Sequence, residues 1–300
     1  MIIYLAGGIT GNLIKEWQNF MKLYLAGLSG EKNRVFNDEN IKLFLAGNDG
    51  FRKQRFDIFL KDLYILESYH YIIKQEWMFP LLKEFKGFVL DSGAFTFMTS
   101  LKGKNIDWKE YVINYGNFVK KHNIKYFFEL DIDSIVGIKE VEKLRDLLEN
   151  TAQRKCIPVW HKNRGLDYWK QMCKDYDYVA IGGIVTQEIK RSQYNIFLPL
   201  LKIARENKCK VHGLGFTNLK GMEKYKFDSV DSTSWLSGNK FGAVYLFDGK
   251  TMQKQNKKIG QRVKTNEVAI HNFSEWVKFS IYAEQIYENR TNLLCQNKAK

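Results

Sequence analysis

The sequence contains little proline, few cysteines and no long apolar run. It has three prolines and four cysteines in 300 residues, and the cysteines (Cys156, Cys173, Cys209 and Cys295) form no Cys-x-x-Cys pair. This spacing argues against a disulfide framework and against a zinc knuckle. No apolar run is long enough to cross a bilayer, and the N-terminus shows neither a basic leader nor a convincing cleavage site. We therefore expect a reduced, cytoplasmic protein without a membrane segment.

Basic residues outnumber acidic residues by a wide margin. The chain has 47 Lys and Arg against 33 Asp and Glu, which gives a formal net charge of +14. Such an excess suits a polyanionic partner, most simply a nucleic acid, although a lysine-rich composition alone would give the same balance. A hydrophobic content of 45% over 300 residues supports one large α/β domain or two modest ones.

Short apolar runs alternate with helical patterns along most of the chain. A Leu-Ala-Gly segment occurs three times, at 4–7, 24–27 and 44–47, and one copy is expected to be the first strand. Further strand-like runs cover 61–68, 88–90, 126–131, 156–160, 178–181, 209–211 and 228–231. Eight such runs with helices between most of them predict an α/β fold with a parallel sheet, closed as a (β/α)8 TIM-type barrel. An open doubly wound sheet is the alternative, although no G-x-G-x-x-G follows the first strand.

The expected barrel core covers about residues 42–236, preceded by strand or loop insertions, within a single domain of residues 1–300. An aromatic-rich helix is predicted over about 69–85, and Asp107 is predicted to cap the helix that follows it. From residue 237 the alternation stops, and residues 237–300 read as a basic extension that ends in a helix packed on the barrel. The basic residues form either a solvated loop or a contact with phosphates; they are Lys250, Lys254, Lys257, Lys258, Arg262 and Lys264.

Polar residues recur where the predicted strands end. A barrel gathers the C-terminal ends of its strands around one pocket. The residues expected there are Asp91, Asp131, His161, Gly182, Gly183, His212, Gly213 and Asp231. Each has a structural explanation on its own, as a turn, a cap or a core histidine, but their common position at strand ends favours a site.

Asp231 is the candidate nucleophile of that site. Aspartate is a poor strand former, so its place in the last strand needs another reason. Two separated carboxylates can share the work of glycosyl chemistry, in which one attacks the anomeric carbon and the other handles the proton. Glycines beside the pocket would let backbone N–H groups approach a planar ligand, and Phe95 could stack on it.

The motifs, taken in order, resemble those of tRNA-guanine transglycosylases. They are even more similar to those of phage and bacterial relatives that insert 7-deazaguanines into DNA. The segments that carry the resemblance are Asp91-Ser92-Gly93-Ala94-Phe95, Gly182-Gly183, His212-Gly213-Leu214-Gly215 and Asp228-Ser229-Val230-Asp231. The resemblance covers roughly residues 42–236. It implies replacement of guanine in DNA by a free 7-deazaguanine such as preQ0 or a derivative, without a cofactor, in the host cytoplasm if the protein is phage-encoded.

The resemblance also implies roles for single residues. Asp231 matches the nucleophile that becomes linked to the sugar C1′, and Asp91 matches the acid–base aspartate of the motif that includes Ser92 and Gly93. Phe95 matches the aromatic residue that stacks on the base. Asp131, or alternatively Asp133, matches the aspartate that reads the base edge.

Two histidines depart from the family pattern. His161 stands where the family usually has a base-reading glutamine, and His212, next to Gly213, replaces an apolar residue beneath the base. Gly182 and Gly183 match the backbone that recognises the deazaguanine side group. The two histidine substitutions, at 161 and 212, affect which base is accepted.

The DNA-modifying branch is favoured over the tRNA branch by the cysteines. Family enzymes that act on tRNA carry a Cys-rich zinc site after the nucleophile, whereas Cys295 is the only cysteine beyond Asp231. We therefore expect no metal, and we also expect no room for a further RNA-binding domain. The alternatives are the same exchange on tRNA, a non-catalytic nucleic-acid-binding barrel subunit, or a barrel enzyme acting on a small phosphorylated metabolite.

Overall fold

Eight parallel strands and the helices between them form the body of the protein. A computed structural model describes residues 21–28, 62–94, 96, 106–216, 221, 224–236, 242–256 and 265–298. The strands are β1 Lys22–Ala26, β2 Tyr64–Ser68, β3 Gly87–Asp91, β4 Tyr126–Phe127, β5 Val159–Trp160, β6 Tyr178–Ile181, β7 Lys210–Gly213 and β8 Ser229–Ser232. The α-helices are α1 Tyr69–Ile72, α2 Trp108–Lys121, α3 Asp133–Val136, α4 Ile138–Ala152, α5 Gly165–Asp175, α6 Phe197–Glu206 and α7 Thr265–Lys298. Short 3₁₀ helices cover Glu76–Lys83, Lys162–Arg164, Arg191–Ile196 and Ser234–Leu236.

The eight strands close into a barrel. Their order is β4-β3-β2-β1-β8-β7-β6-β5, and a parallel bridge between Phe128 and Ile157 joins the two ends of the sheet. At this seam the Ile157 N–H donates to the Phe127 carbonyl at 2.8 Å, and the Glu129 N–H donates to the Ile157 carbonyl at 3.0 Å. The predicted (β/α)8 barrel is therefore confirmed, and the open sheet is wrong.

The first barrel strand is the second Leu-Ala-Gly copy, so the expected barrel start near residue 42 was wrong. Lys22 of β1 pairs with Ser229 of β8, and Leu25 pairs with Ile65 of β2. The three copies have nearly the same local sequence, and only pairing with strands distant in the chain distinguishes them. The copies at 4–7 and 44–47 lie outside the described residues.

Several predicted elements are shorter than expected. The runs at 126–131 and 156–160 contain only the two-residue strands β4 and β5. Between these two strands, a side-chain oxygen takes the place of one backbone acceptor. The Val159 N–H donates to Glu129 Oε1 at 2.7 Å instead of to a backbone carbonyl. The helix predicted over 69–85 is divided into α1 and the 3₁₀ helix Glu76–Lys83, which contains Pro80. Proline lacks the N–H that a continuous α-helix would use.

Helix α2 follows its sequence signals and fastens two strands. Asp107 caps it by accepting hydrogen bonds from the N–H groups of Lys109 and Glu110, both at 3.0 Å, which confirms the predicted N-cap. Tyr115, on its buried face, places its hydroxyl 3.1 Å from the Leu90 carbonyl and 3.0 Å from the Phe128 carbonyl. These contacts tie the helix to β3 and to the residue after β4.

The barrel interior has its own core, separate from the core between strands and helices. Because side chains alternate along a strand, every second residue faces inward. The buried apolar residues that fill the interior are Tyr24, Ala26, Tyr64, Leu66, Val89, Phe128, Ile157, Val159 and Ala180. His212 lies among them, with its ring centroid 5.1 Å from that of Phe128 and 6.0 Å from that of Tyr24.

The C-terminal extension contains a hairpin that the sequence did not predict. Strands β9 Ala243–Phe247 and β10 Met252–Asn256 pair antiparallel and pack on α7, where the Tyr245 N–H donates to Asn272 Oδ1 at 2.8 Å. Helix α7 in turn covers the barrel, and Ser280 Oγ donates to the Leu23 carbonyl at 3.1 Å. The predicted packing of a C-terminal helix on the barrel is confirmed. Among the described residues, no helix combines the length and apolar character needed to cross a membrane.

Candidate active site

Three carboxylates meet at the C-terminal mouth of the barrel. Asp91 ends β3, Asp131 follows β4, and Asp231 lies in β8. Burial raises the pKa of Asp91 to about 6, and repulsion from Asp231 and Asp131 adds to the shift. Because β3 and β8 are parallel strands of one closed sheet, the two predicted catalytic residues, Asp91 and Asp231, lie at the same mouth.

Asp231 is held through only one of its two carboxylate oxygens. Its Oδ1 accepts hydrogen bonds from the Gly215 N–H at 2.7 Å and from His212 Nε2 at 3.2 Å. None of the described residues hydrogen-bonds Oδ2, and the side chain is 13% exposed. Asp231 therefore presents one unengaged oxygen at the mouth.

Asp228, the other acid of the Asp-x-x-Asp motif, occupies a different place. It precedes β8, and its Oδ2 accepts a hydrogen bond from the Val211 N–H at 2.8 Å. Its own carbonyl accepts a hydrogen bond from the Lys22 N–H at 3.0 Å. Asp228 thus links β7, β8 and β1 at the strand starts, whereas Asp231 faces the mouth.

The Asp91-Ser92-Gly93 segment forms a tight turn at the mouth. The Gly93 N–H donates to Asp91 Oδ2 at 2.9 Å, and the Tyr111 hydroxyl donates to the Ser92 carbonyl at 2.6 Å. Gly93 has φ +79°, and a Cβ there would lie 2.8 Å from Ser68 Oγ. The glycine is therefore required by the backbone conformation and by the space, and it fixes the position of Asp91.

His161 lies between two carboxylates. Its Nε2 is 2.6 Å from Asp131 Oδ1, and its Nδ1 is 2.8 Å from Glu188 Oε2. Although burial opposes protonation, the hydrogen bonds and charges of these acids raise the pKa of His161 to about 9. At neutral pH the ring thus carries two N–H groups that both donate to carboxylates, and none of the described residues hydrogen-bonds Asp131 Oδ2. Glu188 was missed by the sequence reasoning.

The Gly182-Gly183 pair makes room for this arrangement. A Cβ on Gly182 would lie 2.7 Å from His161 Nε2. Gly183 has φ +77°, and a Cβ there would lie 2.7 Å from Glu188 Oε2. Either side chain would therefore displace the His161–Glu188 contact, a role distinct from the predicted recognition of a base by the backbone.

A buried ion network supports the mouth behind Asp131. Glu129 accepts hydrogen bonds from Arg164 at 3.1 Å and from Arg145 at 3.2 Å. Arg164 Nε also donates to Asp133 Oδ2 at 2.8 Å. The Asp133 side chain is 7% exposed and committed to Arg164, whereas that of Asp131 is 31% exposed. The geometry favours Asp131 over Asp133 as the residue that contacts a ligand.

The same residues do not suit a metal ion. Ligand atoms of Asp131, Asp133 and His161 lie within 4.8 Å of one another. However, both ring nitrogens of His161 are bonded to carboxylates, and Asp133 is paired with Arg164. A metal ion here would therefore have to displace each of these hydrogen bonds.

His212 and Gly213 point to opposite sides of β7. His212 is fully buried inside the barrel beneath Asp231. A Cβ on Gly213 would lie 3.1 Å from the Cβ of Phe216 and 3.2 Å from the ring of Phe227, in the outer core. Any contact between Gly213 and a substrate would therefore use its backbone.

The predicted nucleic-acid contact Lys250 does not lie at the mouth. Lys250 lies in the turn between β9 and β10. Phe247, just before that turn, packs on Tyr282 of α7. The same part of α7 places Glu284 2.7 Å from the hydroxyl of Tyr64, at the start of β2. Lys250 therefore lies towards the N-terminal end of the barrel.

The remaining predicted contacts divide into two groups. Lys254 is exposed on β10. Five predicted site residues lie outside the described residues, namely Phe95, Lys257, Lys258, Arg262 and Lys264.

Comparison with known proteins adds little to this geometry. No protein-family model and no curated protein matches the chain. Among solved structures, the carboxyl transferase domain of Rhizobium etli pyruvate carboxylase aligns with TM-score 0.44 and 10% identity over 95% of this chain and 54% of that chain. The chain thus spans about half the length of that domain. A mutant tryptophan synthase α-subunit from Pyrococcus furiosus aligns with TM-score 0.44 and 12% identity over 87% and 98%. The strand order and the closure of the sheet define the fold.

Proposed function

We propose that this protein is a base-exchange glycosyltransferase that replaces guanine in DNA by a 7-deazaguanine derivative through a covalent aspartyl–sugar intermediate. One observation carries the proposal. Asp231 presents an Oδ2 that no described residue hydrogen-bonds, in the same mouth as Asp91, whose pKa is raised to about 6. Environments that separate the protonation of two carboxylates suit a nucleophile paired with an acid–base residue.

The first half of the reaction removes guanine. Oδ2 of Asp231 attacks the sugar C1′, and the C1′–N9 bond breaks with its electron pair passing to N9. Asp91 in its protonated form gives its proton to the departing base. At neutral pH a carboxyl group with a pKa near 6 is protonated in a fraction of molecules that is large enough for this role.

The second half installs the new base. The deazaguanine nitrogen that corresponds to N9 loses its proton to Asp91 and attacks C1′, and the bond from C1′ to Asp231 breaks to restore the carboxylate. Two displacements at C1′ retain its configuration, and no proton is gained or lost overall.

Asp131 is the residue that we assign to the base edge. Its Oδ1 is held by His161, so Oδ2 is the atom that would accept hydrogen bonds from the donors on a guanine-like edge. Because His161 is an imidazolium with both N–H groups engaged, it orients Asp131 instead of reading the base directly. This differs from the direct reading that a glutamine at this position would allow.

The choice of DNA over tRNA rests on the sequence resemblance and on the single cysteine after Asp231. The target guanine must leave the base stack, which costs a few kcal/mol in a duplex, so single-stranded DNA should be the better substrate. A net charge of +14 favours binding to the phosphate backbone. Lys254 and the basic residues that follow it stay predicted contacts, whereas Lys250 lies away from the mouth.

Exchange of labelled guanine tests the proposal. The wild-type protein should incorporate label into single-stranded DNA faster than into duplex DNA, and into tRNA hardly at all. Asp231→Asn and Asp91→Asn should abolish or strongly slow incorporation. Asp228→Asn is the matched control, because its amide oxygen can still accept the Val211 N–H, and it should retain activity.

Two of the alternatives, exchange on tRNA and the non-catalytic barrel, have their own outcomes in this assay. Incorporation into tRNA only would replace DNA by tRNA as the substrate. No incorporation into either, with nucleic-acid affinity unchanged in Asp231→Ala, would indicate the non-catalytic barrel instead.

A further inference from the structure

A chain of hydrogen bonds runs from Asp231 into the barrel interior. His212 Nε2 lies 3.2 Å from Asp231 Oδ1, and His212 Nδ1 lies 2.5 Å from Ser229 Oγ. Ser229 Oγ also bonds the hydroxyl of Tyr178. His212 and Ser229 are 0% and 1% exposed, so bulk water does not compete for these groups.

The two ends of the chain fix the direction of its hydrogens. Burial raises the pKa of Tyr178 well above its usual range, so the phenol keeps its hydrogen, and its described partner is Ser229 Oγ. Ser229 accepts from Tyr178 and is left with its own hydrogen to donate to His212 Nδ1. The ring hydrogen of His212 must then be on Nε2, facing a carboxylate oxygen that can only accept.

The opposite arrangement would leave groups unsatisfied. A doubly protonated His212 would direct a second donor at Ser229 Oγ. Ser229 would then have to donate to the Tyr178 oxygen, and the Tyr178 hydrogen would have no acceptor among the described residues. Buried donors without partners are costly. The chain therefore favours the neutral Nε2–H form of the ring.

We propose that His212 is a positioning residue for the nucleophile: its Nε2–H, together with the Gly215 N–H, holds Asp231 Oδ1, so that Oδ2 is the oxygen that attacks the sugar. Ser229 and Tyr178 act through His212 by fixing its tautomer. This inference rests on the proposed function, because it assigns a task in the formation of the aspartyl–sugar bond.

The bond from His212 also sets how much covalent intermediate accumulates. When Oδ2 becomes bonded to C1′, Oδ1 changes from a carboxylate oxygen to an ester carbonyl oxygen. A hydrogen bond to a charged acceptor is about twice as strong as one to a neutral acceptor. The Nε2–H therefore stabilises the free carboxylate more than the ester, and its removal shifts the equilibrium towards the glycosyl-enzyme.

Two substitutions at His212 separate its two bonds. The amide nitrogen of glutamine is as many bonds from Cα as Nε2, so His212→Gln can still donate to Asp231. The amide of asparagine reaches only as far as Nδ1, so His212→Asn can contact Ser229 but not Asp231. Ser229→Ala keeps the imidazole and removes the group that fixes its tautomer.

The readout is the equilibrium between free and glycosylated protein. Each variant is incubated with a labelled single-stranded oligonucleotide that contains one guanine, at fixed concentrations of free guanine, and the adduct is quantified on a denaturing gel. His212→Asn should raise the adduct equilibrium constant about fivefold to tenfold, while His212→Gln stays within about twofold of the wild type. Ser229→Ala should raise it by a smaller factor, and it provides a test of its own if His212→Asn does not fold.

A role in packing alone predicts a different pattern. In an Asp231→Ala background, His212→Asn should leave the oligonucleotide Kd unchanged, whereas a distorted mouth would weaken binding. Equal constants for wild type and His212→Asn, or equal shifts for the Gln and Asn variants, would overturn the assignment of His212. Absence of any adduct in the wild type would instead overturn the proposed function, together with the inference that rests on it.

Discussion

Replacement of Glu129 by glutamine should destabilise the protein strongly, because this side chain closes the barrel. Glu129 is fully buried and receives the Val159 N–H together with Arg164 and Arg145. The change keeps the size of the side chain and removes its charge. Arg164 and Arg145 are then left in the interior with Asp133 as the remaining acid of this network, and one carboxylate oxygen becomes a donor that faces other donors.

The expected magnitude follows from the geometry. Loss of one partner of a buried ion pair costs about 3–5 kcal/mol, and because Asp133 still neutralises Arg164 in part, we expect about 3 kcal/mol. For a domain of 300 residues, whose unfolding entropy is about 0.6 kcal/mol/K, that corresponds to a Tm lowered by roughly 5 °C. Calorimetry and chemical denaturation at the same pH would measure both quantities.

An exposed pair provides the control. Glu140 bonds Lys143 on the surface of α4, with side chains 35% and 73% exposed, and Glu140→Gln should change the free energy of unfolding by less than about 0.5 kcal/mol. If Glu129→Gln lowered the Tm by no more than this control, the idea that Glu129 joins β4 to β5 would be wrong.

Three further predictions use other residues of the site. Asp91→Asn should abolish exchange but raise the Tm at pH 7. The folded-state pKa of Asp91 is about 6, above its ordinary 3.8, so the stability of the wild type falls as pH rises from about 4 to 6. Thermal unfolding measured from pH 4 to 7 should show this fall in the wild type but not in the variant. Protonated His161 stabilises the folded state. Its folded-state pKa of about 9, against an ordinary 6.5, corresponds to up to about 3 kcal/mol of stability, which is fully present below pH 6.5 and is lost as pH rises to 9. Chemical denaturation at pH 6.5 and at pH 9 should show this loss in the wild type and in the control His122→Gln, but not in His161→Gln. Gly183→Ala should lose exchange activity because its Cβ would displace Glu188. The control Gly165→Ala has the same φ of +77° and open space around it, so it should stay active and lose only about 1 kcal/mol of stability. Equal activity in the two variants would contradict this role of Gly183.

The fold was predictable where local signals agree with the tertiary contacts. Strand β6, Tyr178–Ile181, was predicted to the residue because a short apolar run ends at a glycine pair. Asp107 marked the start of α2 because an aspartate before a helical pattern can accept hydrogen bonds from the first N–H groups of the helix. The sequence did not show which Leu-Ala-Gly copy is β1, because the choice depends on pairing with a strand about two hundred residues later. It also missed β10, whose exposed residues carry no apolar pattern.

The site was predictable to a similar extent. Asp91, Asp131, His161 and Asp231 were found because each follows or ends an apolar run, and a barrel brings such positions together. Glu188 and Arg164 were missed because nothing local marks them. Their partners are 27 and 35 residues away in the sequence, and only the closed barrel brings these side chains into contact.

The central claim is that one oxygen of Asp231 becomes bonded to a sugar carbon during base exchange. The most direct test is to denature the wild-type protein during turnover on a guanine-containing oligonucleotide, digest the adduct, and locate the modified residue by mass spectrometry. We predict a single nucleotide-bearing peptide with the modification on Asp231, and no adduct in Asp231→Asn. An adduct on Asp91, on Asp228 or on any other residue, or exchange without an adduct, would contradict it.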